Sequence, residues 1–250
     1  MAERIILSSS FDKVSEAKKK SASANRLNEL ASDPSRQVRL AVARNENTTD
    51  ETLHKMILNE REHQGVLEAI ATHTKSGAVL TALSSNEYAY GYIHTLAFLN
   101  DNMPAAVLSK IKSISRTKKL AIAENPKTPE KTRSILLLED PDPYVNAIAA
   151  WFPLLPENDV TAYWRMQKAQ PLADRNQLAL RGLVRGKNVP DSTRNEIFDK
   201  GDKHVRFDAV KSGYASYGLL LKASSDPDEF VRGLAKTKLD TLRGLQRQTF

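Results

Sequence analysis

A short corner between two helices recurs along this chain at a nearly constant spacing. Its clearest copy is NPKTPEKT, residues 125–132, where Asn125-Pro126 is expected to end one helix and Thr128-Pro129 to begin the next. With Asn125 as the anchor, the equivalent anchors are Asn45, His73, Asn100, Phe152, Gly186, Ser212 and Lys238. The successive anchors are 28, 27, 25, 27, 34, 26 and 26 residues apart. Such a period is typical of repeat proteins, in which each unit buries its apolar face only against its neighbours.

Proline follows the anchor by four residues in four of the units. These prolines are Pro104, Pro129, Pro156 and Pro190. Proline is tolerated in the first turn of a helix, so each is expected to start a new helix. Thr48 and Thr128 stand one position earlier, where a hydroxyl can cap that helix, and Thr48 with Glu51 predicts a capping box.

The units also begin alike. DPSRQVR at 33–39 and DPDEFVR at 226–232 are nearly superimposable, and Asp-Pro favours a turn followed by a helix. Val38, Ala41 and Val42 have the i, i+3, i+4 spacing of an inward helical stripe.

The combined pattern, D-P-x-x-x-V-R-x-x-V-A-x-N-x-x-T-P, resembles the leucine-rich repeat variant family and the HEAT-type α-solenoids over residues 28–240. The resemblance implies an all-α fold, a right-handed superhelical α-solenoid of about eight short two-helix repeats with a concave, partner-binding face. We interpret residues 1–250 as a single α-solenoid domain, with a polar capping segment at 1–27, repeats at 28–240 and a tail at 241–250. Some family members hold an iron–sulfur cluster on N-terminal cysteines, but this chain has no cysteine.

Composition narrows the functional classes. The absence of cysteine excludes disulfides, cysteine-ligated zinc and thiol catalysis, and we expect neither a metal nor a cofactor. The apolar run Ile5-Ile6-Leu7 is too short for a signal peptide, and no stretch approaches the roughly 18 apolar residues that span a membrane. We therefore expect a cytoplasmic protein that does not insert into membranes.

Basic residues concentrate in the last third of the chain. The net charge is +7, and residues 170–250 hold 15 basic and 10 acidic side chains. One residue before the anchors lie Arg185 and Lys211, with Arg181 one helical turn before Arg185 and Lys187 close by. This cationic patch is either an ordinary solvated surface or a contact for phosphates or acidic side chains.

Arginine also stands six residues before three of the anchors, as Arg39, Arg206 and Arg232. In HEAT-like repeats such an arginine pairs with the aspartate of its own unit, and Asp33 and Asp226 stand in place to do so for Arg39 and Arg232. We therefore interpret these arginines as structural.

Two aromatic features interrupt the regular pattern. The 34-residue spacing places about seven extra residues in 159–177, beside Trp151 and around Trp164, which indicates either a recognition loop or aromatic side chains that fill a packing gap. Tyr88, Tyr90 and Tyr92 alternate in NEYAYGYIH, and we interpret them as aromatic packing in a divergent repeat, with a partner-contacting patch as the alternative.

No catalytic or nucleotide-binding motif is present. We therefore expect a non-enzymatic scaffold whose partner is a protein, with nucleic acid possible through the basic last third. The candidate binding residues are Arg181, Arg185, Lys187, Lys211, Arg165, Trp151 and Trp164. The one enzymatic alternative rests on fold-level analogy with HEAT-like alkylpurine DNA glycosylases, in which Asp159, Trp151 and Trp164 would be catalytic.

Overall fold

The computed structural model describes residues 10–152 and 155–248, with side chains up to residue 244. The described residues form seventeen α-helices and one short 3-10 helix and contain no β-strand, which confirms the all-α prediction. The Ile5-Ile6-Leu7 run lies outside the described residues. No helix in the described ranges is long and apolar enough to cross a bilayer.

The chain divides into two compact units, Met1–Thr128 and Pro129–Phe250. The helices of the first unit are α1 Ser10–Ala17, α2 Ala24–Leu30, α3 Arg36–Ala43, α4 Asp50–Ile57, α5 Gln64–His73, α6 Gly77–Ser84, α7 Gly91–Leu99, α8 Ala105–Leu108 and α9 Arg116–Glu124. Those of the second are α10 Glu130–Leu138, α11 Pro143–Ala150, α12 Glu157–Lys168, α13 Gln177–Leu183, α14 Asp191–Lys200, α15 Lys203–Lys211, α16 Tyr217–Ala223 and α17 Glu229–Gln248. A 3-10 turn, Leu172–Asp174, lies between α12 and α13.

Within each unit the helices pack in two rows. In the first unit α1, α3, α5, α7 and α9 contact one another in succession, and α4 contacts α6. In the second unit α11, α13, α15 and α17 form one such row, here called the odd row, and α10, α12 and α14 form the even row. Alternate helices along the chain are therefore neighbours in space, as a repeated helix pair requires.

Six of the eight predicted anchors fall between two consecutive helices, and a seventh, His73, is the last residue of α5. The four prolines each stand at the N-cap, one residue before α8, α10, α12 and α14, so the predicted helix starts are correct to within one residue. The eighth anchor, Lys238, lies inside α17, which runs on to Gln248 through the segment predicted as a tail. The predicted stripe of Val38, Ala41 and Val42 is buried.

Three asparagine anchors of the first unit tie their helix pair to the preceding pair, a role that was not predicted from the sequence. Nδ2 of Asn125 donates to the carbonyl oxygens of Phe98, at 2.7 Å, and Asn100, at 3.0 Å. Its Oδ1 accepts from the backbone N–H of Lys127 at 2.8 Å. Asn45 and Asn100 donate in the same way to two carbonyls that lie 26 to 29 residues earlier.

In the second unit, one anchor, Lys238, makes the same kind of contact with its amine. Nζ of Lys238 donates to the carbonyl oxygens of Lys211, at 3.0 Å, and Ser212, at 2.8 Å. Burial lowers the pKa of Lys238, because the interior disfavours its charged form. A side-chain N–H donor at the anchor position is thus used in both units.

The threonine hydroxyls do not cap the following helix, so that prediction is wrong. Oγ1 of Thr48 donates to the carbonyl of Val42 at 2.6 Å, and Thr128 donates to the carbonyl of Ile122. The cap of α4 is Thr49, whose Oγ1 accepts from the backbone N–H of Thr52 at 3.2 Å. The buried threonines satisfy carbonyls at the end of the preceding helix instead.

The predicted structural arginines Arg39 and Arg206 form ion pairs between consecutive helix pairs of the repeat rather than within one pair. Arg39 reaches only the backbone carbonyl of Asp33, while its guanidinium pairs at 2.9 Å with Glu62, the acidic residue of the following unit. Arg206 likewise pairs at 2.8 Å with Asp226. The predicted carboxylate partner is therefore wrong, but the structural role of these arginines is correct.

Tyr163 carries a buried polar atom without a partner. Its hydroxyl oxygen makes no hydrogen bond within the described residues. The nearby Asn176 amide is engaged by the carbonyl of Pro143 and the N–H of Ala179. Burial raises the pKa of Tyr163 to about 12, because the phenolate would be poorly solvated there.

Candidate partner-binding surface

Three helices of the odd row join in one cluster around a buried carboxylate. Asp208 of α15 accepts a hydrogen bond from Nε of Arg181, at 2.6 Å, and another from Nη2 of Arg185. The guanidinium carbon of Arg185 lies 4.4 Å from the ring centre of Trp151, and that of Arg181 lies 6.0 Å away. These contacts combine ion pairing with cation–π attraction.

Close backbone packing brings Trp151 to the two arginines. Gly182 of α13 has no side chain, and a Cβ there would lie 2.8 Å from the backbone of Ala150 and 2.9 Å from the Trp151 ring. A larger residue would clash with the backbone of α11, so glycine permits this approach. Asp208 then fixes Arg181 and Arg185, because a buried carboxylate requires paired donors.

The cluster retains binding capacity. Both arginine side chains are 34% exposed, and one carboxylate neutralises only one of the two charges. Each arginine uses a single nitrogen for Asp208, and the other guanidinium N–H groups bond to none of the residues described. The pair is therefore a pre-positioned cationic group that can receive a carboxylate or a phosphate.

A line of exposed side chains runs parallel to this cluster. Eight residues before the last four anchors stand Tyr144, Leu178, His204 and Phe230, one on each helix of the odd row, and all four are exposed. Tyr144 is 59% exposed and Phe230 is 70% exposed. Each lies seven residues, about two helical turns, before Trp151, Arg185, Lys211 or Thr237. Lys211 and Thr237 lie on α15 and α17, whereas Trp151 and Arg185 follow the ends of α11 and α13. None of these four residues is among the predicted binding residues, which stand at other repeat positions.

These eight residues and Arg181 are together called the odd-row surface. Its members are Tyr144, Trp151, Leu178, Arg181, Arg185, His204, Lys211, Phe230 and Thr237. It combines exposed aromatic and aliphatic side chains with three cations, Arg181, Arg185 and Lys211. None of the side chains one residue before the anchors is buried. Lys187 is exposed in the loop after α13 and is not a member of a helix face.

The other predicted residues lie on α12, in the even row. Trp164 is buried and donates from Nε1 to Oε2 of Glu196 at 2.9 Å, which supports the gap-filling interpretation for this ring. The pKa of Glu196 is lowered, first by this hydrogen bond and then by Lys168. Arg165 is exposed on the same helix.

The extra residues lengthen α12 and add the 3-10 turn. Arg175 fastens the segment, because Nε donates to the carbonyls of Gln167 and Gln170, both at 3.1 Å, and Nη1 donates to that of Lys200 at 3.2 Å. The insertion is thus tied down at its end, while residues 169–174 stay exposed.

The three residues of the glycosylase alternative make contacts with different helices. Asp159 accepts a hydrogen bond from Ser134 of α10, Trp164 bonds to α14, and Trp151 stacks against α13. No shared contact joins them among the described residues. Base release therefore stays a prediction that rests on fold-level analogy.

No cluster of His, Asp or Glu in the described part of the chain could hold a metal ion. Comparison with known proteins finds no matching family model, no similar curated protein and no similar solved structure. The resemblance to the repeat families therefore stays a prediction, and the function has to be argued from the surface itself.

Proposed function

We propose that this protein is a non-enzymatic cytoplasmic scaffold that binds another protein through the odd-row surface. We also propose that its helices form the predicted right-handed α-solenoid of about eight two-helix repeats. The observation that carries the function is the row of exposed side chains, including Tyr144 and Phe230, beside the Trp151–Arg181–Arg185 cluster.

The residue types on this surface favour a protein partner. Trp, Tyr and Arg are the side chains that most often dominate the binding energy of protein interfaces. Phe230 and Tyr144 expose ring area that a partner would remove from water. The Arg181–Arg185 pair would meet an acidic side chain, so the expected partner segment carries apolar residues flanked by Asp or Glu.

Nucleic acid is the second candidate, supported by the 15 basic side chains of residues 170–250. However, the buried carboxylates of Asp208 and Asp226 already hold three arginines of this region. Their positive charge is partly neutralised, and the surface alternates cations with apolar groups. A duplex-binding surface usually presents a more continuous basic stripe.

The test is affinity capture from native lysate, with and without nuclease, using the parent chain and matched variants. A specific partner should be lost with Tyr144→Ser/Phe230→Ser and should survive nuclease treatment. Phe11→Ser is the control, because Phe11 of α1 is 78% exposed but lies in the first unit. Equal loss with both variants, or capture that depends on nucleic acid, would refute the proposal.

Purified partner then permits a quantitative measurement. Removing a central aromatic anchor typically costs about 2 kcal/mol of binding energy, so Phe230→Ser should weaken Kd by about thirtyfold. Arg185→Ala should weaken it as well, whereas Arg165→Ala on α12 should not. Binding to a nucleic acid would instead weaken steeply and continuously with added salt through counterion release.

A further inference from the structure

A second group of exposed aromatic side chains lies in the first unit, earlier in the chain than every residue of the odd-row surface. Tyr88, Tyr90 and Tyr92 are 37%, 64% and 47% exposed. The interpretation of these residues as internal packing is therefore wrong. Only Ala89, between the first two, turns inward and is buried.

Two side-chain amides hold the backbone of this segment. Gln64 of α5 donates to the carbonyl of Tyr88 at 2.9 Å and accepts from the N–H of Tyr90 at 2.8 Å. Asn86 accepts from the N–H of Tyr88 at 2.8 Å and donates to the carbonyl of Ile57. The tyrosines therefore project from a fixed backbone, and a ligand would pay little entropy to order them.

Carboxylates border the rings. The Tyr88 hydroxyl donates to Glu60 at 3.1 Å, and the Tyr92 hydroxyl donates to Glu68 at 3.3 Å. The pKa of Tyr88 is raised, first by its hydrogen bond to Glu60, and that of Tyr92 is raised by burial and then by Glu68. The hydrogen bonds therefore place a carboxylate beside each of these two phenols.

The ring faces and the carboxylates of Glu60 and Glu68 are both groups that attract cations. The Tyr90 and Tyr92 rings meet edge to face, with centres 6.4 Å apart and planes at 60°. The faces of aromatic rings are electron-rich and attract cations, above all arginine. Residues 60–115 hold 4 basic and 5 acidic side chains, in contrast to the basic last third. The nearby cation Arg36 is engaged with His63 at 2.9 Å.

We propose that Tyr88, Tyr90 and Tyr92, with Glu60 and Glu68, bind an arginine-bearing segment of a partner protein. The guanidinium stacks on the tyrosine rings and pairs with a glutamate carboxylate. Charge complementarity selects this occupant, because an acidic segment would meet two carboxylates and an uncharged one would gain only ring contact. The site is independent of the odd-row surface and would remain if the odd-row proposal failed.

The experiment is an NMR titration of the full isotope-labelled chain. The probe is a blocked pentapeptide in which glycine and arginine alternate, and the control is the same peptide with citrulline in place of arginine. Backbone amide shifts should concentrate at residues 86–92 and at Gln64, and the citrulline peptide should cause none of them. Shifts that map elsewhere, equal shifts with citrulline, or no saturable shifts with the arginine peptide would overturn the proposal.

Variants make the test specific to the site. Tyr90 is the N-cap of α7 without a side-chain cap bond, so Tyr90→Ser preserves the helix start and is expected to fold. Tyr90→Ser and Glu68→Gln should each weaken arginine-peptide affinity by about three- to tenfold. Tyr217→Ser, which removes a comparably exposed tyrosine in the second unit, should leave affinity unchanged. Unchanged affinity in both site variants would refute the assignment.

Discussion

Replacing Asn125 by alanine tests whether the anchor amides hold consecutive helix pairs together. The substitution removes three hydrogen bonds, two donated to the carbonyls of Phe98 and Asn100 and one accepted from Lys127. Asn125 is buried, so water cannot readily replace the lost partners. At about 1 kcal/mol for each bond, the expected loss in free energy of unfolding is about 3 kcal/mol.

The assay is urea denaturation followed by far-ultraviolet circular dichroism. Asn102→Ala is the matched control, because Asn102 lies in the preceding corner, between α7 and α8, and is exposed. Its side chain donates one bond, to Oδ1 of Asn100 at 3.1 Å, so the substitution should shift stability by less than about 0.5 kcal/mol. The reasoning would be refuted if Asn125→Ala cost less than about 1 kcal/mol, or no more than Asn102→Ala. A change in the denaturant slope would report loss of cooperativity between helix pairs.

The isosteric variant Asn125→Asp adds a dependence on pH. Its carboxylate would face two carbonyl oxygens in a buried site, which should raise the pKa of that group above its unfolded value. The folded state would then bind more protons than the unfolded state between the two pKa values. Stability of this variant should therefore increase as pH falls from 7 towards 4, relative to the parent chain. A parallel pH profile would contradict the assigned geometry.

Three further predictions concern other contacts. Tyr163→Phe removes the unpartnered buried hydroxyl and should raise the free energy of unfolding by up to about 1 kcal/mol, measured by thermal or urea unfolding. Glu62→Ala leaves the largely buried guanidinium of Arg39 without its carboxylate and should cost about 3 kcal/mol by urea titration, whereas Glu51→Ala, at an exposed pair, should cost nothing measurable. Glu196→Gln should lower the melting temperature above pH 4.5, and the deficit should vanish at lower pH, because the lowered pKa of Glu196 gives stability that is lost once that carboxylate protonates; a deficit that persists in acid would contradict this.

The helix corners were predictable because their cause is local. Proline cannot continue a helix but fits its start, and the apolar spacing of each segment selects helix over strand. Pro129 and the stripe at Val38 therefore lie where the sequence places them. These features depend on neighbours within one turn of the chain.

The bonds between helix pairs were not predictable in the same way. Whether Thr48 caps the next helix or closes the previous one depends on the turn between them, and the two outcomes share one sequence pattern. Similarly, Arg39 has acidic residues on both sides in the chain, and only the packing of successive pairs brings Glu62 to it. The hydrogen-bond or ion-pair partner of each of these side chains is therefore set by how neighbouring helices are offset from one another.

The candidate surface was partly predictable. Comparing equivalent repeat positions predicts a cationic patch that includes Arg181 and Arg185, and the irregular spacing singles out Trp151; the structure brings these three side chains together. Trp164 was grouped with them because it falls in the irregular spacing, but the extra residues lengthen α12 and bury its ring in the even row. The exposed line through Phe230 could have been found from the sequence by comparing the residues at every repeat position. Exposed and buried positions alternate along each helix with the helical period, so an apolar residue at an exposed position stands out.

The direction of the anchor bonds bears on how the chain folds during synthesis. Asn45, Asn100, Asn125 and Lys238 all donate to carbonyls that were translated 25 to 29 residues earlier. Each of these four side chains thus meets acceptors that have already left the ribosome, and none of these bonds waits for sequence still to be made. Growth from the N-terminus can proceed one helix pair at a time, with each pair serving as the template for the next.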